Sequence, residues 1–267
     1  MLLVISSYAQ KIKRIETKLI ASNEEGQNDL YNSADFDEDG KVATVKNSGG
    51  NVYLCDKAMS TEILPLQLLA VDLGAAYYPL ALKSEWMDGY RMEILGDCQN
   101  HTDCQIDMMM DLNQVRLITT TKQEMIEEIF DKFNDPNSKQ PSEVVTKHQL
   151  SYYPDGSIQQ LKYEQIEGDV LTQAFLNQFI YDNTGLLTQY MSADVNSGSR
   201  NNFSFTRENG RLIKITWATW NEKKGIWNRP DEAELKYVSD SDMLHSATYI
   251  NEKGRQQYLQ EFIYTYY

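Results

Sequence analysis

Histidine and cysteine are scarce in this 267-residue chain, three of each, and the shortage removes several kinds of chemistry at once. His101, His148 and His245 lie far apart, and none sits in the setting of a catalytic triad. The sequence contains no Gly-x-Ser-x-Gly elbow, no His-Glu-x-x-His helix and no glycine-rich phosphate loop. Positive charge is also short, with 25 Lys and Arg against 39 Asp and Glu, a net charge of -14. Nucleic acid and anionic membrane are polyanions gripped through Lys and Arg, so neither is expected as a partner. A basic protein is the partner this balance favours, beside the plainer reading that the charge serves solubility.

An uninterrupted membrane-spanning run is missing too. The longest apolar stretch, Ile63 to Leu82, approaches the roughly 20 residues a bilayer needs, but Pro65, Gln67, Asp72, Gly74 and Pro79 interrupt it. Carrying Asp72 into lipid is costly, so a buried core segment is expected, with a short helix over 65–73 stopped by Gly74. Residues 1–10 include Met1-Leu-Leu-Val-Ile-Ser-Ser-Tyr-Ala9, whose Ser7-x-Ala9 ending suits signal cleavage. They read as the remnant of a secretory signal, which makes the periplasm or secretion the expected location. An N-terminal strand of a cytoplasmic protein is the alternative. In an oxidising compartment Cys98 and Cys104 would close a short disulfide loop and leave Cys55 unpaired; in the cytoplasm all three stay reduced.

Aromatic residues, by contrast, are plentiful, with 17 Tyr, 8 Phe and 4 Trp, and they favour pleated, half-buried surfaces. The expected fold class is mainly β with a minor α component. Residues 11–135 read as an N-terminal α+β region, in which short strands run from Lys11 to about Cys55, and Glu85 to Leu95 and Ile106 to Thr119 are further strands. Thr121 to Phe133 is expected to be a helix. Thr121 and Glu124 form a capping-box pair, and Met125, Ile126, Ile129, Phe130 and Phe133 share one side at helical spacing. Asn134 to Ser142, with Pro136 and Pro141, reads as a connection. Residues 144–267 are expected to form an antiparallel meander, continuous with the first region or separate from it.

The meander is read from its turns: Tyr153-Pro-Asp-Gly156, Tyr181-Asp-Asn-Thr-Gly185, Phe205-Thr-Arg-Glu-Asn-Gly210 and Tyr249-Ile-Asn-Glu-Lys-Gly254. A glycine supplies the positive φ of a tight reversal. The aromatic before it is expected to pair across the hairpin with the aliphatic after it, and the first three runs open with Ile158, Leu186 and Leu212. Phe179-Ile-Tyr-Asp-Asn-Thr-Gly-Leu-Leu-Thr188 resembles the YD-type hairpin repeat of Rhs proteins at Tyr181, Asp182, Gly185, Leu187 and Thr188, with Leu186 where an Arg is common. Phe36 to Val42 and Phe205 to Leu212 keep only the aromatic, the glycine and the aliphatic residue. The resemblance implies a scaffold of repeats that wrap into sheets and enclose or present other material, and it implies no activity.

Candidate sites follow from residue type and spacing. Asp35, Asp37 and Asp39 before Gly40 have the oxygen spacing that opens an EF-hand calcium loop, but the twelfth position is Lys46 where a bidentate Glu is needed. A weak calcium site and a plain acidic hairpin turn remain as the two readings. Cys98, His101, Asp103 and Cys104 suit zinc by type but have no second ligand pair at finger spacing, which leaves a disulfide or free thiols. Trp217, Trp220 and Trp227 flank the turn Asn221-Glu-Lys-Lys-Gly225. Strand alternation sends Trp217 and Trp220 to opposite faces, so core packing and the anchoring of a partner are both open to them. The final strand, Gln257 to Tyr267, carries apolar residues on both faces. These features together favour an exported, non-enzymatic protein-binding protein, of which an immunity-type inhibitor of a toxin or effector is one form. A cell-envelope structural or surface protein with weak calcium binding, and a hydrolase using a carboxylate pair, are the alternatives.

Overall fold

The computed structural model describes residues 11–21, 28–40, 42–46, 52–53, 66, 68–71, 73, 115–120, 126–134, 143–239 and 241–267. Residues 1–10, the three cysteines, His101 and the strand expected at Glu85 to Leu95 lie outside them. The first strands are β1 (Ile12–Ala21), β2 (Asn28–Phe36), β3 (Val42–Lys46), β4 (Val52–Tyr53), β5 (Val115–Thr120) and β6 (Ile126–Asn134). Next come β7 (Glu143–Tyr152), β8 (Ile158–Glu167), β9 (Val170–Tyr181), β10 (Leu187–Asp194) and β11 (Arg200–Glu208). The last are β12 (Arg211–Asn221), β13 (Ile226–Trp227), β14 (Asp231–Tyr237), β15 (Leu244–Ile250) and β16 (Gln256–Tyr266).

These strands form one sheet, in the order β4-β3-β2-β1-β16-β15-β14-β12-β11-β10-β9-β8-β7-β6-β5, with β13 attached to β12 alone. From β5 to β16 each main strand pairs antiparallel with its neighbour in sequence, which is the expected meander. β1 then pairs along the outer side of β16, with Ile15 opposite Tyr264 and Thr17 opposite Phe262. The sheet runs unbroken across the connection at 135–142, since Asn134 pairs with Glu143.

Local chemistry makes the turns. At Asp182-Asn-Thr-Gly185 the Gly185 N–H donates to the Asp182 carbonyl at 3.1 Å, and the Asp182 N–H donates to the Leu186 carbonyl at 2.9 Å. The Asp182 side-chain Oδ1 accepts from the N–H groups of Thr184 and Leu186 at 2.8 and 3.0 Å. Gly185 sits at φ 82°, the left-handed region that lets the chain leave a type I turn into a bulge. The same pattern recurs at Tyr153 to Ser157 and Asn251 to Arg255. The bulge advances the register by one residue. Tyr181 therefore pairs with Leu187, which is 1% exposed, and not with Leu186.

Both expected helices differ in the structure. Residues 126–134 of the helix expected at 121–133 are strand β6, held between β5 and β7, with Ile129 opposite both Ile118 and His148. The helical spacing of Ile126, Ile129, Phe130 and Phe133 is present in the sequence, but hydrogen bonding to two neighbouring strands overrides that local preference. Of the helix expected at 65–73, Leu66 alone is helical among the described residues, and Leu68 to Val71 form a turn and bends.

One face of the sheet is apolar. Phe179, Tyr190 and Phe203 stack across β9, β10 and β11 with centroids 5.4 Å apart at each step. Such pairs contribute roughly 0.5–1.5 kcal/mol each beyond the area they bury. Leu150, Leu161, Ile215, Leu235, Ala247 and Phe262 extend this core over the other strands. The alternating positions point the other way and mix ion pairs with apolar side chains: Lys162 pairs with Glu164 and Lys214 with both Glu232 and Glu234, while Ile180 and Ile263 stand exposed. Among the described residues no helix is long and apolar enough to cross a membrane.

The segment around Leu68 lies on the apolar face, and Leu68, Leu69, Val71 and Leu73 join the core. Gln260, 0% exposed, donates through Nε2 to the Leu68 carbonyl at 2.6 Å. Its Oε1 accepts from the Ala70 N–H at 2.9 Å and from the Tyr249 hydroxyl at 2.8 Å. Asn32 Nδ2 also donates to the Leu68 carbonyl, at 2.8 Å, and the Ala70 N–H reaches the Tyr249 hydroxyl at the same distance.

Tyrosines near the strand ends bind main chain in a repeated way. The hydroxyl of Tyr181 donates to Ile158, that of Tyr237 to Leu212 and that of Tyr264 to Leu244, each a carbonyl at the start of the adjacent preceding strand, at 2.8–2.9 Å. Burial raises the pKa of these phenols, that of Tyr237 to about 12, and burial likewise raises that of Tyr152 to about 12.

Two outcomes are expected. Gln260→Leu keeps the volume but strips partners from Leu68, Ala70 and Tyr249, and urea unfolding should show a loss of about 1–3 kcal/mol at unchanged slope. The phenols hold their protons more tightly when folded than the value of about 10 in an unfolded chain. Their stabilisation is therefore complete below pH ~10 and is lost as pH rises towards ~12, with tyrosinate absorbance and circular dichroism changing together.

Candidate functional site

Strand direction sorts the turns into two rims. The turns at 37–40, 153–157, 182–186, 208–211 and 238–243 share one rim, and those at 167–170, 194–199, 221–226 and 251–255 share the other.

Every described turn of the first rim carries a carboxylate, Asp37, Glu38 and Asp39, then Asp155, Asp182, Glu208 and Asp242, and so does every described turn of the second, at Glu167, Asp169, Asp194, Glu222 and Glu252. The hydroxyl of Ser157 bonded to Asp155, and that of Thr184 bonded to Asp182, hold these two acids below the usual carboxylate range, as does the adjoining main chain. They therefore keep their charge in mildly acidic surroundings. Arg211 answers Asp242 at 2.7 Å, and Arg207 reaches inward to the Leu187 carbonyl.

The structure does not bring the three candidate calcium ligands together. Asp35 accepts from the Thr44 hydroxyl at 2.9 Å and pairs with Arg14 at 3.3 Å on the strands. Asp37 instead folds its own turn by accepting the Asp39 N–H at 2.9 Å. Among the described residues no group of three or more His, Cys, Asp and Glu is placed to hold a metal ion. Cys98 and Cys104, with His101 and Asp103 between them, lie outside the described residues.

The tryptophans separate as alternation requires. Trp220 and Trp227 are opposite one another on β12 and β13, edge to face with centroids 5.4 Å apart, and Trp227 is 39% exposed. Trp217 stands on the other face, packed against the core, next to Phe203 on β11 and Asp231 on β14. There it lines an open cleft of about 220 Å³ at the second rim, together with Asp231, Tyr249, Ile250, Asn251, Gln257 and Tyr258. Tyr258 is partly exposed there and rests on the buried Tyr249, with ring centroids 4.4 Å apart.

Of these lining residues, only Trp217 was legible as a candidate. Asp231 reaches it because β12 pairs with β14 over the short β13, a connection that no local signal announces. Tyr249 and Asn251 do belong to a turn readable in the sequence, and that turn was the available clue.

No protein-family model and no curated protein matches the chain. Among solved structures, a porin-like protein from Bacteroides uniformis aligns at 15% identity and a TM-score of 0.31, over 49% of this chain and 48% of that one. The chain therefore spans about half the length of that protein. A porin-like protein from Bacteroides vulgatus aligns at 8% identity and a TM-score of 0.42, over 96% of this chain and 99% of that one.

Proposed function

We propose that this chain is a non-enzymatic binding protein, acting in the periplasm or after secretion, that recognises a basic protein partner. An immunity-type inhibitor of a toxin or effector is the concrete form this takes. The supporting observation is the acidic surface: the five turns of the first rim each hold a carboxylate out towards solvent, and the second rim adds Glu167, Asp169, Asp194, Glu222 and Glu252, on a chain of net charge -14. The turns are fixed by the side-chain bonds of Asp37, Asp155 and Asp182, so their charges are presented on a rigid frame. Complementary charge of this kind speeds encounter with a cationic surface and discourages acidic ones.

The immobilised full chain should capture from extracts of its native source a basic protein identifiable by mass spectrometry. Reversing Asp155, Glu208 and Asp242 to Lys should slow association by at least about tenfold, as should raising the salt. A captured partner that is acidic, or whose association rate ignores both changes, overturns the reading.

A further inference from the structure

The cleft at the second rim is built for a different ligand, and we propose that it is a binding subsite for one neutral sugar ring. This proposal does not rest on the carboxylates of the first rim, which lie at the opposite ends of the strands.

Two chemistries meet in the cleft. The partly exposed Trp217 and Tyr258 give it aromatic surface over the buried Tyr249, and Asp231, Asn251 and Gln257 give it planar groups that donate and accept. Part of this polar capacity is already committed to the fold. One Asp231 oxygen accepts the Glu252 N–H at 2.7 Å, and the Asn251 carbonyl oxygen accepts the N–H groups of Lys253 and Arg255 at 3.0 Å each. The same bonds orient the remainder. The second Asp231 oxygen, the Asn251 amide nitrogen, the Gln257 amide and the Trp217 indole N–H make no hydrogen bond among the described residues. The Tyr249 hydroxyl is fixed from behind by Ala70 and Gln260, so the ring on which Tyr258 rests is rigid before any ligand arrives.

A sugar ring fits this combination because it has an apolar C–H face for the aromatic side chains and a girdle of hydroxyls that both donate and accept. A wholly apolar ligand would desolvate Asp231, Asn251 and Gln257 without replacing their water, which buried polar groups do not tolerate. A cation finds a single lining carboxylate, Asp231, one of whose oxygens already accepts the Glu252 N–H. The volume of about 220 Å³ is below the range for drug-sized ligands and suits a single ring with its substituents.

The test is a tryptophan-fluorescence titration of the full chain with glucose, galactose, N-acetylglucosamine and their linear oligosaccharides, with arginine methyl ester as the cationic comparison. At least one sugar should give a saturable change, and Trp217→Ala should abolish it. Gln257→Ala, a surface change that spares the fold, should weaken binding between about threefold and tenfold. Trp227→Ala, on the other face, should leave the affinity unchanged, and calorimetry should give the same ranking for all variants. The proposal is overturned if no sugar saturates, if the response survives Gln257→Ala undiminished, or if arginine methyl ester alone binds.

Discussion

The structure depends on what covers a single apolar face. A sheet with one apolar face must bury that side, and here the segment around Leu68 is laid against it and tied down by Gln260. That amide joins the Leu68 carbonyl, the Ala70 N–H and the Tyr249 hydroxyl, and so connects a segment with no regular hydrogen-bonding ladder to β15 and β16. Its burial is tolerable because both ends of the amide are satisfied. An irregular backbone inside a core needs such partners for its own polar groups, and Asn32 supplies a second from β2.

The two rims follow from the same alternation. Aspartate side chains brace chain reversals at both ends of the strands by accepting main-chain N–H groups, Asp37, Asp155 and Asp182 at the first rim and Asp194 at the second. At the second rim the reversals differ in length and shape, and the wide one around β13 leaves room between Trp217 and Tyr258 for a cleft. The binding scaffold and its candidate surfaces are thus products of turn chemistry laid along a common sheet.

Local features were legible in the sequence and long-range ones were not. The turns at Gly156, Gly185, Gly210 and Gly254 could be read because a positive φ has a residue-level signature, and all four glycines adopt it. The cross-hairpin partners were misread, since bulges shift the register without changing the composition: Tyr181 pairs with Leu187 and not Leu186, Ile158 with Tyr152 and not Tyr153, and Phe205 with Ile215 and not Leu212. Ile126 to Phe133 carries a helical pattern that the pairing of β6 with both neighbours defeats. Alternation separated Trp217 from Trp220 correctly, but the companions of Trp217 come from β14, β15 and β16, and their convergence requires knowledge of strand order.

The pairing of β1 with β16 has a consequence for the order of events during synthesis. The hairpins from β7 to β16 need only neighbours in sequence and can close as they emerge, which is the fast, low-contact-order regime. β1 through β4 leave the ribosome first, yet their place in the sheet exists only once β16 has been made. An early-born ribbon that must wait for the last strand is exposed to misassociation in the interval, a demand on chaperoning that the finished molecule no longer displays.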